Sequence, residues 1–119
     1  MIKLYTGSPI VLNKSKFLGY AACCSTENEA LLVVRKVQQI STRATHNIWA
    51  YRLHTGLSRR FDDGEYGGGE RLVALLKHSD SFNVILIVSR WYGGIHLGNA
   101  RFKCISQAAK SALTQLPAF

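Results

Sequence analysis

Apolar positions recur along this chain with two periods, and the points where the period changes mark its elements. From Lys16 to Cys24, the residues Phe17, Leu18 and Tyr20 mixed with small side chains suit a strand packed on both faces. Ser25 and Thr26 then open a helix. Thr26 and Glu29 have capping-box spacing, and Ala30, Leu31, Val34 and Val37 form the apolar stripe that runs to about Ser41. Between Asn47 and Leu53, Trp49, Tyr51 and Leu53 alternate with Ile48, Ala50 and Arg52, the period-two pattern of a strand, and a short return strand follows at Ser58 to Phe61. Leu72, Leu75 and Leu76 share one face of a second helix that exits at Asp80 and Ser81. Val84 to Val88 is an unbroken, β-branched run and reads as the most buried strand, covered on both faces. A last helix after Gly98 carries Phe102, Ile105, Ala109, Ala112, Leu113 and Leu116 at helical spacing and stops before Pro117.

The order strand, helix, strand pair, helix, strand, helix predicts an α+β fold, a two-layer sandwich with a mixed sheet of about four strands. No pattern determines strand order. With 119 residues, 47% of them apolar, the chain is expected to fold as one domain over residues 1–119 without disulfides or structural metal. Cys23, Cys24 and Cys104 are odd in number, lack Cys-x-x-Cys spacing, and read as small buried hydrophobes. Without a secretory signal or an apolar run of membrane-spanning length, the sequence is read as cytoplasmic and mature as written.

Charge sharpens the picture. The formal net charge is +8, with six bases and no acid from Ala30 to Phe61, and four bases and no acid from Ser81 onward. Four of the seven acids crowd into Asp62, Asp63, Glu65 and Glu70. Such a surface favours polyanions such as RNA, or acidic proteins, with one acidic corner of its own.

Three segments hold polar residues that a core does not need: Thr45-His46-Asn47, Phe61 to Arg71, and Ser89 to Gly98. The glycines Gly67 to Gly69 ahead of a helix suggest a phosphate cradle, but no Gly-Lys-Ser/Thr follows and four carboxylates would repel phosphate. The acids lack the spacing of a calcium loop. They remain readable as a turn with helix-favouring charges or as a protein-facing acidic patch. In the third segment Arg90 beside aromatics can stack on bases or anchor a protein interface. If Trp91 is instead core, Arg90 and Tyr92, which alternate with it, share the more accessible face, and Gly93 and Gly94 allow close approach of another backbone. Arg101 and Lys103 open the last helix, where an anion would meet charge and amides together. His46, His54, His78 and His96 show no metal-ligand spacing, and no nucleophile elbow occurs. A Cys104–His96 pair and the Asp62/Asp63 pair are the weak catalytic alternatives. No enzyme activity, cofactor or metal is expected.

The runs THNIWAYR (Thr45 to Arg52), DDGE followed by glycines, and RWYGGIHLG ahead of Arg101-Phe102 resemble the three signature blocks of the IMPACT family, whose bacterial members are YigZ-like. The similarity runs from about Gly7 to Leu116, and the RWYGG wording resembles the eukaryotic branch. The resemblance implies a fold like domain 2 of ribosomal protein S5, with helices on one side of the sheet and a left-handed crossover. It also implies a non-catalytic role in translation regulation under stress. Eukaryotic relatives compete for the ribosome-associated activator of the amino-acid-starvation kinase, and some bind ribosomes and actin; the alternative, drawn from bacterial relatives and from charge, is direct RNA or other nucleic-acid binding. Eukaryotic relatives carry an upstream domain and bacterial ones a downstream domain, neither of which is in this sequence, so ribosome or actin contact is expected rather than kinase control. Two local departures, Asn99-Ala100 where relatives read Pro-Asp and Tyr66 where a small residue is usual, lie beside the expected site. That partner-binding site comprises His46, Asn47, Asp62, Asp63, Glu65, Arg90, Tyr92, Gly93, Gly94, His96 and Arg101, expected to converge on one surface.

Overall fold

The computed structural model describes residues 2–117. Strand β6, Val84–Trp91, occupies the centre, as its unbroken apolar run requires. On one side it pairs with β3, Ser15–Cys23, and on the other with β4, His46–Arg52, in both cases antiparallel. Two short strands, β1 at Tyr5–Thr6 and β2 at Ile10–Leu12, line the outer side of β3, and β5 at Ser58–Phe61 forms the opposite edge beside β4.

The sheet therefore has six strands rather than about four, and it is antiparallel throughout rather than mixed. β3 and β4 do run the same way, joined by helix α1 at Glu27–Ile40, but β6 inserts between them and takes the hydrogen bonds of both. β1 and β2 escaped the sequence reading because they are short and largely exposed, so no period-two signal develops. The β2–β3 turn is formed by Asn13 and Lys14, both at positive φ, in a two-residue hairpin that lacks the usual glycine.

The helices cover both faces, which corrects the two-layer expectation. Ile85 and Ile87 of β6, with Tyr20, Ala22 and Tyr51, pack on Ala30, Val33, Val34 and Val37 of α1. Val84, Leu86 and Val88, with Phe17, Ile48 and Ala50, pack on helices α2, Gly68–His78, and α3, Ala100–Leu113. A strand apolar at every position has two faces to bury, and helices on one side would leave Ile85 and Ile87 in water. On the α2/α3 face, α3 lies so close to β3 that a Cβ at Gly19 would sit 2.1 Å from the Ala108 carbonyl oxygen.

The capping box forms: Thr26 Oγ1 accepts from the Glu29 amide, and Glu29 Oε1 accepts from the Ser25 amide and hydroxyl. With this connectivity the starts of β3, β4, α2 and α3 and the end of β6 gather at one end of the sheet.

Candidate functional site

Each polar group at that end is placed by a local backbone requirement. The N-cap of α2 is Gly67 at φ 90°, which has no side chain to cap the helix. Asp62 does so from five residues upstream: its carboxylate accepts from the Gly67 amide at 3.1 Å and the Gly69 amide at 2.8 Å. Asp63 accepts at 2.7 Å from the Asn47 amide, which lies beyond the end of the β4–β5 ladder and has no strand partner there. The turn they form folds Glu65 inward.

Glu65 is only 3% exposed, an unusual position for a carboxylate, and its surroundings explain it. Arg90 Nη1 donates to both of its oxygens at 2.8 and 2.9 Å. Arg101 Nε lies 3.3 Å from Oε1, and His46 Nδ1 hydrogen-bonds Oε2. Arg90, itself 5% exposed, packs its guanidinium against the Phe17 and Tyr92 rings, and its Nη2 donates to the buried Ser15 hydroxyl. Its Nε has no partner among the described residues. Arg101 also donates to the Gly98 and Tyr66 carbonyls, and its guanidinium stacks on Phe102, as does that of Arg71.

A cleft of about 290 Å³ opens over this cluster, lined by His46, Glu65, Arg90, Tyr92, His96 and Arg101 together with Thr45, Gly64, Leu97 and Gly98. Residues from all three sequence blocks thus meet in one place. Tyr92 and His96 are exposed at the rim with their rings 5.7 Å apart, and Tyr66, 79% exposed, is joined to it through Arg101.

Several of the expected residues play other parts. Arg90 is not on an accessible face: the loops that begin α2 and α3 close over the end of β6, and its charge faces Glu65. Asn47 alternates to the α1 side, where its side-chain oxygen accepts from the Ser41 and Ser89 hydroxyls. The Asp62 and Asp63 carboxylates are engaged by backbone amides. Gly93 serves a close approach, since a Cβ there would meet the Lys14 backbone at 2.2 Å, whereas Gly94, at φ 90°, has open space around it. Trp91, half-buried on the α1 side, donates to the Thr42 carbonyl and carries the Lys16 ammonium over its ring. Asn99 stands at the α3 N-cap without making a side-chain cap bond. Ser15, which also accepts from the Gly93 amide, was missed in the sequence; a serine at a strand start carries no distinguishing signal.

The architecture is that of an α+β domain in which a buried ion cluster ties two helix starts to the sheet. The sequence model of the Impact N-terminal domain matches residues 13–113, and the chain belongs to that family. Similar relatives include Protein IMPACT of Oryctolagus cuniculus, 39% identical, and of Homo sapiens, 37% identical, each over 92% of this chain. The Dictyostelium discoideum Protein IMPACT homolog is 34% identical over the same share. The chain spans 37%, 36% and 34% of the lengths of these three proteins. Among solved structures, a crystal structure of a hypothetical protein matches with TM-score 0.86 at 24% identity, covering 98% of this chain and 63% of that one, and shows the fold. The two-domain translational regulator Yih1 matches with TM-score 0.61 at 32% identity, over 93% of this chain and 46% of its own.

Proposed function

We propose that this chain is a non-catalytic protein-binding module of translation control, acting in the cytoplasm through the rim of the Glu65 cleft. The observation that carries the reading is its similarity, over 93% of its length, to a translational regulator. The geometry supports it. The Glu65 carboxylate in the cleft floor is paired inside the chain, so the floor works as a rigid mount, while Tyr92 and His96 stand exposed at its rim and Tyr66 and Ile95 are exposed on the loops that bound it. Amphipathic aromatic side chains on a rigid base are the usual anchors of protein interfaces. In line with the family resemblance, the partner is the ribosome or the ribosome-associated activator of the amino-acid-starvation kinase, with actin as a further partner.

The test is co-sedimentation with ribosomes, and pull-down of the activator and of actin, comparing the parent with a Tyr66→Ala/Tyr92→Ala variant of unchanged thermal stability. A loss of recovery of about tenfold is expected for removal of two interface aromatics. Equal recovery would refute the assignment of the surface. Salt-steep binding to protein-free RNA, with recovery of the activator and of actin lost on nuclease treatment, would make the module an RNA binder instead.

A further inference from the structure

A larger cavity, about 800 Å³, opens at the opposite end of the sheet, where β3 ends, β6 begins and helices α2 and α3 terminate. Nothing in the Glu65 cleft touches it. Its volume is that of a site for a ligand or a few side chains. Although the chain carries a net charge of +8, the cavity lining contains two carboxylates, Glu29 and Asp80, and no Lys, Arg or His. Its apolar wall is formed by Phe82, Val84, Leu113 and Leu116. The basic residues in the last turns, Lys77 and His78 of α2 and Lys110 of α3, are exposed and do not line it.

Three further features point the same way. The C-terminal ends of α2 and α3 both reach the cavity, and helix C-termini carry partial negative charge; the N-terminus of α1 also borders it, with its amides met by the Thr26 hydroxyl and the Glu29 carboxylate. Hydrogen bonds from the Ser25 amide and hydroxyl hold Glu29 below the usual carboxylate range, so it stays ionised. At the cavity the Cys24 thiol is pushed up to about 12, by burial first and by the neighbouring Glu29 charge second. One wall is held by backbone and side-chain contacts. Asn83, at positive φ, donates its amide to the Arg52 carbonyl, accepts the Cys24 amide on its own carbonyl, and accepts the His54 amide on its side chain. Phe82 is steadied by the Arg52 guanidinium, 3.9 Å from the ring centroid.

Two carboxylates beside an apolar wall, on a molecule of net charge +8, fit a single cation flanked by hydrocarbon. We propose that the cavity is a docking site for a partner-protein segment in which an Arg or Lys stands next to a leucine-sized apolar residue. It stands independently of the role assigned to the Glu65 cleft.

The experiment is an amide NMR titration of the whole chain with acetyl-Leu-Arg-Leu-Arg-Leu-amide, its Glu counterpart and its neutral citrulline counterpart. The Arg peptide is expected to shift Cys24, Ser81 to Asn83 and Leu116 saturably, the citrulline peptide more weakly and the Glu peptide not at all. Glu29→Gln/Asp80→Asn keeps a capping acceptor at 29 and a residue tolerant of positive φ at 80, and should weaken Arg-peptide binding about fivefold. Ser81→Arg, which places a guanidinium of the chain's own in the cavity, should block binding independently. The proposal is overturned if the three peptides bind alike, if the shifts fall outside the cavity, if neither variant changes affinity, or if n-hexylammonium saturates the site while no peptide does.

Discussion

Replacing Glu65 by Gln removes one charge from a place where water cannot compensate. The amide has the shape of the carboxylate, but one of its acceptor oxygens becomes an N–H₂ facing a donor from Arg90 or His46. Arg90, 95% buried, keeps the remaining amide oxygen and the Ser15 hydroxyl as neutral acceptors but loses its carboxylate counter-charge. Breaking a buried pair by removing one partner costs about 3–5 kcal/mol, because the remaining charge is uncompensated. Unfolding entropy of about 2.1 cal/mol/K per residue gives roughly 0.25 kcal/mol/K for this chain, so the melting temperature should fall by about 12–20 °C. Arg101 adds little, since it is partly solvated and keeps its carbonyl partners. Urea unfolding followed by far-UV circular dichroism measures the change directly. A double-mutant cycle isolates the coupling: Glu65→Leu/Arg90→Met removes both charges and should be less destabilised than Glu65→Gln alone. A Glu65→Gln loss below about 1 kcal/mol, the range of an exposed pair, would refute the claim that this cluster holds the end of the sheet together.

Asp62→Ala should cost about 1–2 kcal/mol by uncapping α2, with hydrogen exchange accelerating at Gly67 and Gly69, whereas Asp62→Asn should retain most of the stability. Gly19→Ala forces a Cβ into the Ala108 carbonyl and should destabilise by about 3 kcal/mol or more, read as a lowered urea midpoint. Of the three thiols only exposed Cys23 should react with a disulfide reagent at neutral pH, Cys24 and Cys104 following only on unfolding. Because burial raises Cys24 from 9.0 to about 12, the folded state holds a proton that the unfolded chain releases, and stability should decline as pH rises from about 9 towards 12. Tyr51 and Tyr20, both raised by burial, act in the same sense, so Cys24→Ala should reduce the decline without abolishing it. Urea midpoints at several pH values across that window check both statements.

What could be read from the sequence was local. The capping box at Thr26 and Glu29 and the central strand depend on neighbours within a few residues and appear as expected; the α1 stripe does so at Ala30, Val34 and Val37, but Val33 is buried where Leu31 was expected, and Leu31 is exposed. Strand order was not legible, because the β-strand that pairs with both β3 and β4 arrives last in the chain. The site divided in the same way. That the three blocks meet was an expectation no sequence pattern could place, and His46, Glu65, Arg90, Tyr92, His96 and Arg101 do line one cleft. Which of them face solvent was not legible.

Glu65 and Arg90 show why. In sequence, Glu65 is one of four acids in a short run and looks as solvated as Asp62 and Asp63, and Arg90 reads as the polar tip of a strand. Either charge alone would resist burial at a cost of several kcal/mol, so each lies inside only because the other does. They are 25 residues apart, and the turn that joins them in space depends on Gly67 at positive φ and on Asp62 holding the α2 amides. Burial of a charge is therefore a property of the pair and of the turn that presents it. That is also why binding should be sought at the uncompensated rim of Tyr66, Tyr92 and His96, while the charges beneath it hold the rim in place.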